Sequence, residues 1–450
     1  MKTQTSLGSS LNELVLLEIG NELGDYAAMS LAGFGIDAIK LEPREGSPSR
    51  RIGPFAAPPP SAIRTARTHL FGSADAPPSA SSPVSNNGGG DSRSVFFWRY
   101  NLNKKSAALD LDHTATRPLL ARMAAKADIV LLSGEIETVE QRLELWRELA
   151  SQNASLIVCT ITPFGLTGPY RALKSTDLTQ MAMGGIMAVC GYDPDANLEY
   201  DTPPIAPAMW HAYHVAGEYA AIAILAAVNF RDLSGEGQFI DVSVHEAVNT
   251  CTEIAIPSYI YNGQVVLRQT ARHAFPHITQ FRLSKSRDDV YMLASLSPFE
   301  REARAFAELA DQVGIEHVLK TPEYKQLEKE DSRAAYTYRN DLIEQLVARL
   351  PAQEVFERAQ ALGLAWSPIR RPEDNLTDPH FTARHSFAAI HHPELGRDLL
   401  YPGTVAGDGE QPHMNYRRRA PELGEHTSEV LEWSGCDRDE IEKLRALGVL

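Results

Sequence analysis

Residues 1–165 alternate short apolar runs with segments of helical periodicity. The apolar runs predict strands at 14–19, 37–42, 106–111, 128–133 and 155–162. Helical patterns fall between them, at 27–34, 114–126 and 138–150. Strands that alternate with helices of this length indicate βαβ units and a parallel sheet. The first third of the chain is therefore predicted to form an α/β domain.

The remainder of the chain changes character several times. The pattern is helical over 207–228, strand-like over 281–296, and helical and charged over 298–349, and the chain ends in an amphipathic helix. The predicted organisation is an α/β fold with a large domain and a smaller α+β domain. Its segments are 1–215 for the first part of the large domain, 216–260 for a long helix and connection, 261–365 for the small domain, and 366–450 for a linker and the return to the large domain.

One segment interrupts the large domain. Residues 58–93 are rich in Pro, Ser, Ala, Asn and Gly and contain the run SNNGGG. This composition buries too little apolar surface to offset the entropy of ordering a chain. It predicts a flexible surface insertion.

Composition and charge narrow the class of protein. The net charge is −15, from 43 basic and 58 acidic residues, which argues against general nucleic-acid binding. The longest apolar stretch, 220–228, is shorter than a membrane span, so no membrane partner is expected. The four cysteines form no C-x-x-C pair, which indicates neither a zinc site nor a disulfide framework. A cytoplasmic protein without a bound metal is expected.

Two blocks carry candidate binding residues. In NLNKKSAALDLD, Asn103 and Lys104 precede a predicted strand, with Leu109 and Asp110 at its end. Ligands bind near strand ends in open α/β sheets, although Asn and Lys would equally suit a solvated turn. In TITPFGLTGPYRALKSTDL, a Gly- and Pro-rich loop leads to Lys174 and Asp177. The alternative for Asp177 is a helix N-cap, which Ser175 or Thr176 would supply equally well.

Five blocks, in a fixed order, resemble the family III CoA-transferases of the carnitine/formyl-CoA transferase type. They read IDAIKLEPREGSPSRR, NLNKKSAALDLD, TITPFGLTGPY, GEGQFIDVSVHEA and LGEHTSEVLEWSG. The resemblance implies a Rossmann-like large domain, an interlocked dimer, and CoA and acyl-CoA as substrates together with a small carboxylic acid. It also implies that CoA is bound near Asn103, Lys104, Leu109 and Asp110, with Lys174 close to its phosphates.

In that family an aspartate carries the acyl group, and the resemblance places it four residues before the glycine that opens a long apolar helix. Here that glycine is Gly217, and Tyr213 stands at the expected position. A phenol forms no acyl anhydride, and no Asp or Glu occurs between Thr202 and Gly217. The resemblance therefore implies a subunit that lacks the nucleophile, paired with a homologous CoA-transferase subunit or with itself.

Two other readings stay open at this stage. One is an isomerase, lyase or racemase-like enzyme for acyl-CoA substrates, with His211, His214 and Asp177 as acid–base groups. The racemase branch has a histidine where this chain has Thr176, so that branch lacks its base here. The other is a binding protein that keeps the dimer fold without catalysis.

Overall fold

The computed structural model describes residues 11–56, 93–208, 210–252, 254–279, 283–296, 299–403, 407 and 414–450. These residues form two compact units. The first unit comprises 1–184, 208–251 and 384–450, and the second comprises 185–207 and 252–383. The predicted insertion at 58–93 lies, apart from its last residue, outside the described residues.

The first unit contains a six-stranded sheet and the helices around it. Its strands are β1 Val15–Ile19, β2 Asp37–Glu42, β3 Lys105–Ala108, β4 Ile129–Ser133, β5 Ile157–Thr162 and β6 Phe239–Ser243. Its helices are α1 Glu22–Gly33, α2 Val95–Tyr100, α3 Arg117–Lys126, α4 Ile136–Ala150, α5 Asp177–Met183, α6 His211–Ser234 and α7 Val244–Asn249. The strands predicted from the apolar runs are confirmed. Helix α1 begins earlier than predicted, because the Asn21 side chain caps it by accepting a hydrogen bond from the Leu23 N–H.

All six strands are parallel and lie in the order β3-β2-β1-β4-β5-β6. The chain proceeds from β1 to β2 and β3 on one side and then crosses to β4 on the other side of β1, so a topological switch point lies between β1 and β4. The loops that follow β1 and β4 pack closely against each other. A Cβ on Gly20 would lie 2.2 Å from the Ser133 carbonyl oxygen. The carboxyl edge of the sheet is the place where this fold binds ligands.

Helix α6 crosses the unit beside α1. A Cβ on Gly217 would lie 2.8 Å from the Tyr26 ring and 3.1 Å from the Ala27 nitrogen. Glycine at this position therefore lets the two helices approach closely. The helix ends at Gly235, whose φ of +78° and N–H bond to the Arg231 carbonyl form a left-handed C-cap. Strand β6 then runs parallel to β5.

The C-terminal part of the first unit adds a β-hairpin and two helices. The elements here are β10 Phe387–His392, β11 Arg397–Pro402, α14 Thr427–Ser434 and α15 Arg438–Ala446. Strands β10 and β11 are antiparallel. Helices α14 and α15 contribute Val430, Leu431, Ile441 and Leu444 to the main core, which also contains Trp146. The predicted C-terminal amphipathic helix is thus present as α15.

The second unit is mainly helical, with a small antiparallel sheet. Its elements are α8 Ala255–Asn262, β7 Leu283–Lys285, β8 Tyr291–Leu293, α9 Glu300–Val313, α10 Pro322–Glu330, α11 Ser332–Arg349, α12 Ala352–Ala361, β9 Ser367–Pro368 and α13 Pro379–Ala383. Phe306, Leu346 and Trp366 are fully buried in its core. The unit extends to Ala383 and includes 185–207, whereas the sequence pattern placed the small domain at 261–365. The segment 366–383 carries β9, which pairs with β8, and this pairing attaches it to the second unit.

Candidate functional site

Asp177 lies beyond the carboxyl end of β5, at the first residue of the short helix α5. Its own helix does not use its carboxylate. Thr176 is the N-cap of α5, and its side chain and that of Thr179 form a capping box. Of the three N-cap candidates in the sequence, Thr176 therefore takes that role and leaves the Asp177 side chain available for another element.

That other element is the first turn of α6. Asp177 Oδ1 accepts hydrogen bonds from the N–H of Ala212 at 2.9 Å and of Tyr213 at 3.3 Å. Asp177 Oδ2 accepts one from the Trp210 N–H at 3.1 Å. The first N–H groups of a helix have no partner within the helix and carry its positive dipole end. The carboxylate of Asp177 therefore caps the N-terminus of α6, although Asp177 precedes Trp210 by 33 residues in the chain.

Burial and hydrogen bonding act in opposite directions on this carboxylate. Asp177 is 8% exposed, and its burial raises the pKa of the carboxyl group, while the three backbone N–H groups lower it. Burial has the larger effect, so the pKa is raised above its usual value. The N–H of Trp210 comes from strained backbone, since this residue has a φ of +68°. Its indole packs against the Phe96 ring at a centroid distance of 4.4 Å.

Tyr213 and Asp177 were both predicted as site residues, and the fold places them in contact. Tyr213 is buried and contributes its backbone N–H to the Asp177 carboxylate. Burial raises the pKa of the Tyr213 phenol well above its usual value, and the nearby charge of Glu22 adds to the effect. The phenol is therefore neutral in the physiological range.

The two histidines beside Tyr213 differ in their surroundings. His214 Nε2 lies 2.8 Å from the Tyr100 hydroxyl oxygen, and its ring packs on Tyr26 at 4.5 Å between centroids. Burial lowers the pKa of His214 to about 4, so it is neutral at physiological pH. His211 is exposed on the first turn of α6. One candidate acid–base group is thus held within a cluster of aromatic side chains, and the other faces solvent.

Asn103 and Lys104 lie at the start of β3, on the amino edge of the sheet. The Lys104 side chain is fully buried, and its Nζ lies 2.8 Å from Glu18 Oε2, 3.0 Å from the Asp25 carbonyl oxygen and 2.9 Å from Asn101 Oδ1. Lys40 Nζ contacts the same Glu18 side chain at 2.7 Å. Lys104 is therefore one member of an internal charge network, and its ammonium group has no access to a ligand at the surface.

The Asn103 side chain joins separate segments of the first unit. Its Oδ1 accepts hydrogen bonds from the N–H of Arg417 at 2.8 Å and of Arg418 at 3.0 Å. Its Nδ2 donates to the Asn415 carbonyl oxygen at 2.7 Å. These bonds give Asn103 a structural task, in a positive-φ conformation that asparagine tolerates.

Leu109 and Asp110 follow β3 on the carboxyl edge. Leu109 is fully buried in the main core. Asp110 Oδ1 accepts hydrogen bonds from the N–H of Asp112 at 3.1 Å and of His113 at 3.2 Å. The Asp110 carboxylate thus shapes the turn after β3 at the edge where a ligand is expected.

Lys174 lies beside the N-terminus of α4. Its ammonium nitrogen is 3.3 Å from a Glu135 oxygen and 3.0 Å from a Glu137 oxygen, and its side chain is 67% exposed. An exposed ammonium group between two carboxylates is paired loosely. Lys174 therefore remains accessible to an anionic ligand.

A cavity on the carboxyl edge, lined partly by basic residues, was not predicted from the sequence. It has a volume of about 270 Å³ and lies beyond the ends of β1 and β3. Its charged or ionisable lining residues are Asp112, His113, Arg117 and Arg142. Arg142 Nη2 lies 3.9 Å from Asp112 Oδ2. A signal was present, because Arg117 begins the helix after β3 and Arg142 lies on the helix after β4.

Among the residues that the structure describes, no group of three or more His, Cys, Asp or Glu side chains is arranged to hold a metal ion. In the same residues, α6 alone is long and apolar enough to cross a membrane by length and composition. Its residues Ala216, Gly217, Ala220 and Ile224 are buried within the first unit, which is typical of a core helix.

Comparisons with known proteins agree with this architecture. The sequence model of "CoA-transferase family III" matches residues 11–427. A solved structure of a CaiB/BaiF family protein from Brucella suis superposes with a TM-score of 0.71 at 23% identity, covering 94% of this chain and 99% of that one. A structure from Mycobacterium tuberculosis superposes with a TM-score of 0.67 at 18% identity, covering 93% and 98%. These structural matches support the α/β fold.

Curated relatives match over most of their length. Succinyl-CoA:(R)-benzylsuccinate CoA-transferase subunit BbsE from Thauera aromatica is 26% identical over 457 residues, covering 99% of both chains. The beta subunit of succinyl-CoA–L-malate CoA-transferase from Chloroflexus aurantiacus is 28% identical over 352 residues, covering 77% of this chain and 83% of the relative. With the family match spanning nearly the whole chain, this protein belongs to CoA-transferase family III.

Proposed function

We propose that this protein transfers CoA between an acyl-CoA and a carboxylic acid, and that Asp177 carries the acyl group. The observation that carries this proposal is the Asp177 carboxylate itself, buried at the carboxyl edge and held by three N–H groups of α6. A carboxylate is the group that this chemistry requires, because both covalent intermediates, an anhydride and a thioester, are its acyl derivatives.

The proposal also accounts for Tyr213. The family resemblance led us to expect a carboxylate at this position, and the side chain here is a phenol. The Asp177 carboxylate accepts a hydrogen bond from the Tyr213 N–H, so a carboxylate reaches the same turn of α6 from another element. On this proposal the chain does not depend on a second subunit for its nucleophile.

We place CoA on the carboxyl edge of the sheet. The cavity lined by His113, Arg117 and Arg142 offers the guanidinium groups of its two arginines for the phosphates. Lys174, on the loop before Asp177, is a further exposed cation. Asn103 and Lys104 are not part of the proposed CoA site, since they lie on the amino edge.

Assembly with a second chain is part of the proposal. Helix α6 exposes Tyr219, Ile222, Phe230 and Leu233, and α8 exposes Tyr259, Ile260 and Tyr261. Each of these two helices exposes several large apolar side chains, and exposed apolar patches mark protein interfaces. Several relatives are named as subunits, which supports a homologous subunit or a second copy as the partner.

The relatives suggest the first substrates to test. Several are named for succinyl-CoA as the CoA donor, and we propose it as a donor here. The acceptor acid is to be chosen from a panel of dicarboxylic acids. All four cysteines are described and none is in a disulfide, which supports the proposed cytoplasmic location.

The test is covalent trapping. The purified chain, alone and with any co-purifying homologue, is incubated with succinyl-CoA and quenched with hydroxylamine or borohydride before peptide mass spectrometry. We expect the adduct at Asp177 in the native chain and in Tyr213→Phe, which keeps the backbone N–H. In Asp177→Asn we expect no adduct and a turnover number lower by a factor on the order of 10⁴–10⁶.

Other outcomes would contradict the proposal. An adduct found solely on a homologous subunit would mean that this chain lacks the nucleophile, as the sequence first indicated. Full transferase activity in Asp177→Asn would remove Asp177 from the chemistry altogether.

A further inference from the structure

The two oxygens of the Asp177 carboxylate are held unequally. Oδ1 accepts hydrogen bonds from two consecutive N–H groups of α6, those of Ala212 and Tyr213. Oδ2 accepts one, from the Trp210 N–H, which precedes the helix. An acyl group on Asp177 is attached through one oxygen, and the other remains the carbonyl oxygen. The better-held oxygen, Oδ1, is suited to remain in place.

We propose that the first turn of α6 is an oxyanion hole for acyl transfer at Asp177, with Oδ1 as the permanent carbonyl oxygen and Oδ2 as the oxygen exchanged with substrate. This inference rests on the proposed function and extends it. Ala212 and Tyr213 contribute backbone N–H groups, and Trp210 is a positioning residue that orients the carboxylate.

The steps balance as follows. Oδ2 attacks the acyl carbon of acyl-CoA, the carbon–sulfur bond breaks, and the thiolate of CoA leaves as the anhydride forms. The thiolate then attacks Cγ of Asp177, and the Cγ–Oδ2 bond breaks, which releases the first acid with Oδ2 in its carboxylate. A second carboxylate attacks the aspartyl thioester at Cγ and expels the thiolate. The thiolate finally attacks the acyl carbon of the new anhydride, which releases the new acyl-CoA and regenerates the carboxylate.

Both attacks on Cγ develop negative charge on Oδ1. Backbone N–H groups aimed at such an oxygen stabilise the transition state, because they are already oriented when the charge appears. The dipole of a helix as long as α6 adds to their effect at its N-terminus. Water would need to reorganise to do the same.

The backbone at Trp210 supports this assignment independently. A non-glycine residue with a φ of +68° is strained, and such strain persists where the surroundings enforce it. The Trp210 indole packs between the Phe96 ring at 4.4 Å and the Tyr213 ring at 5.6 Å, measured between centroids. This packing holds the strained residue so that its N–H faces Oδ2, while the first turn of α6 faces Oδ1.

The first test follows the oxygens in the unmodified protein. The enzyme is allowed many turnovers with succinyl-CoA and an acceptor acid in which both carboxylate oxygens are ¹⁸O. The mass of the peptide that contains Asp177 is then measured by mass spectrometry. We expect one ¹⁸O atom per Asp177 and no second one. Incorporation of two would mean that the oxygens exchange roles, which overturns the oxyanion-hole assignment. Incorporation of none would instead remove Asp177 as the acyl carrier, and with it the proposed function.

The second test removes a single N–H. Replacing Ala212 by lactic acid converts that N–H to an ester oxygen and keeps the methyl side chain. We expect kcat to fall by about 10²–10³-fold, with a much smaller change in KM for the acyl-CoA. The same replacement at Ala216, one turn further along α6, is the matched control, because it removes a helical N–H without touching Asp177. An equal loss at both positions would indicate a structural effect and contradict the proposal.

The pH profile gives a readout that helix stability does not change. The three N–H groups lower the pKa of Asp177, so the loss of one raises that pKa further. The acid limb of kcat/KM should therefore move to higher pH with the ester at 212 and not with the ester at 216. His211, Tyr100 and Tyr213 are the other titratable groups around this carboxylate. An unchanged acid limb with the ester at 212 would contradict the proposal.

Discussion

The two lysine-bearing blocks of the first unit were both predicted to bind CoA, and the structure uses them differently. The block with Asn103 and Lys104 enters the sheet from its amino edge, and its polar side chains are occupied by internal partners. The block with Lys174 and Asp177 leaves the sheet at the carboxyl edge. There Lys174 is exposed and the Asp177 carboxylate accepts hydrogen bonds from backbone N–H groups of α6 and of Trp210. The two blocks have similar compositions, but the polar side chains of the first stabilise the core, whereas those of the second lie at the candidate site.

The largest expected effect concerns stability at the first block. Lys104→Met leaves the buried carboxylates of Glu18 and Asp25 with Lys40 as their remaining cation. Removing one partner from a buried ion network leaves uncompensated charge, so the free energy of unfolding should fall by about 3–5 kcal/mol. Denaturant titration followed by circular dichroism measures this change.

The neighbouring lysine is the matched control. Lys105 pairs with Asp37 and Glu429, whose side chains are 34% and 57% exposed. Lys105→Met should lower the free energy of unfolding by about 1 kcal/mol or less, as expected for ion pairs that are open to solvent. Equal losses for the two variants would mean that the network around Lys104 contributes no more than a surface pair.

The second block should respond in binding and not in stability. Lys174→Ala removes a cation and leaves Glu135 and Glu137 without their shared partner, so an approaching phosphate loses an attraction and meets two carboxylates. We expect CoA affinity to fall by about 1–3 kcal/mol and unfolding to change by no more than about 0.5 kcal/mol. Calorimetry with CoA measures the first quantity and denaturant titration the second.

A distant lysine controls for net charge. Lys329→Ala makes the same change in net charge at an exposed position of α10 in the second unit. Its CoA affinity should match that of the native chain. If both lysine variants weaken binding equally, the effect is one of overall charge and Lys174 has no special place in the site.

The strands on which the two blocks lie could be predicted from the sequence, whereas the different roles of the two blocks could not. The apolar runs predicted the parallel strands because burial on both faces leaves a continuous hydrophobic signal. The charged residues inside those runs, Glu18 and Lys40, were also visible. Lys104 was nevertheless predicted to bind CoA, because alternation along a strand does not show which lysine is buried when both faces of the sheet are covered. The structure shows its ammonium group beside the carboxylates of Glu18 and Asp25.

No sequence pattern indicated that the Asp177 carboxylate would accept hydrogen bonds from the N-terminus of α6. The residues that meet are 33 to 36 positions apart, and the intervening segment 185–207 belongs to the second unit. The donors are backbone N–H groups, which every residue except proline carries, so no side-chain pattern marks them. The positive φ of Trp210 is likewise invisible, because tryptophan is not a residue that favours such a conformation.

The smallest expected effect separates the backbone from the side chain at Asn103. Both Asn103→Gly and Asn103→Ala lose the hydrogen bonds to Asn415, Arg417 and Arg418. Glycine adopts the φ of +64° freely, whereas alanine resists it, so the alanine variant should be less stable than the glycine variant by about 1–2 kcal/mol. Thermal and denaturant unfolding of the pair measures this difference. Neither variant should change CoA affinity, because the side chain faces the amino edge of the sheet. If both variants bind CoA more weakly while their stability is unchanged, Asn103 belongs to the binding site. The two blocks would then not differ in function.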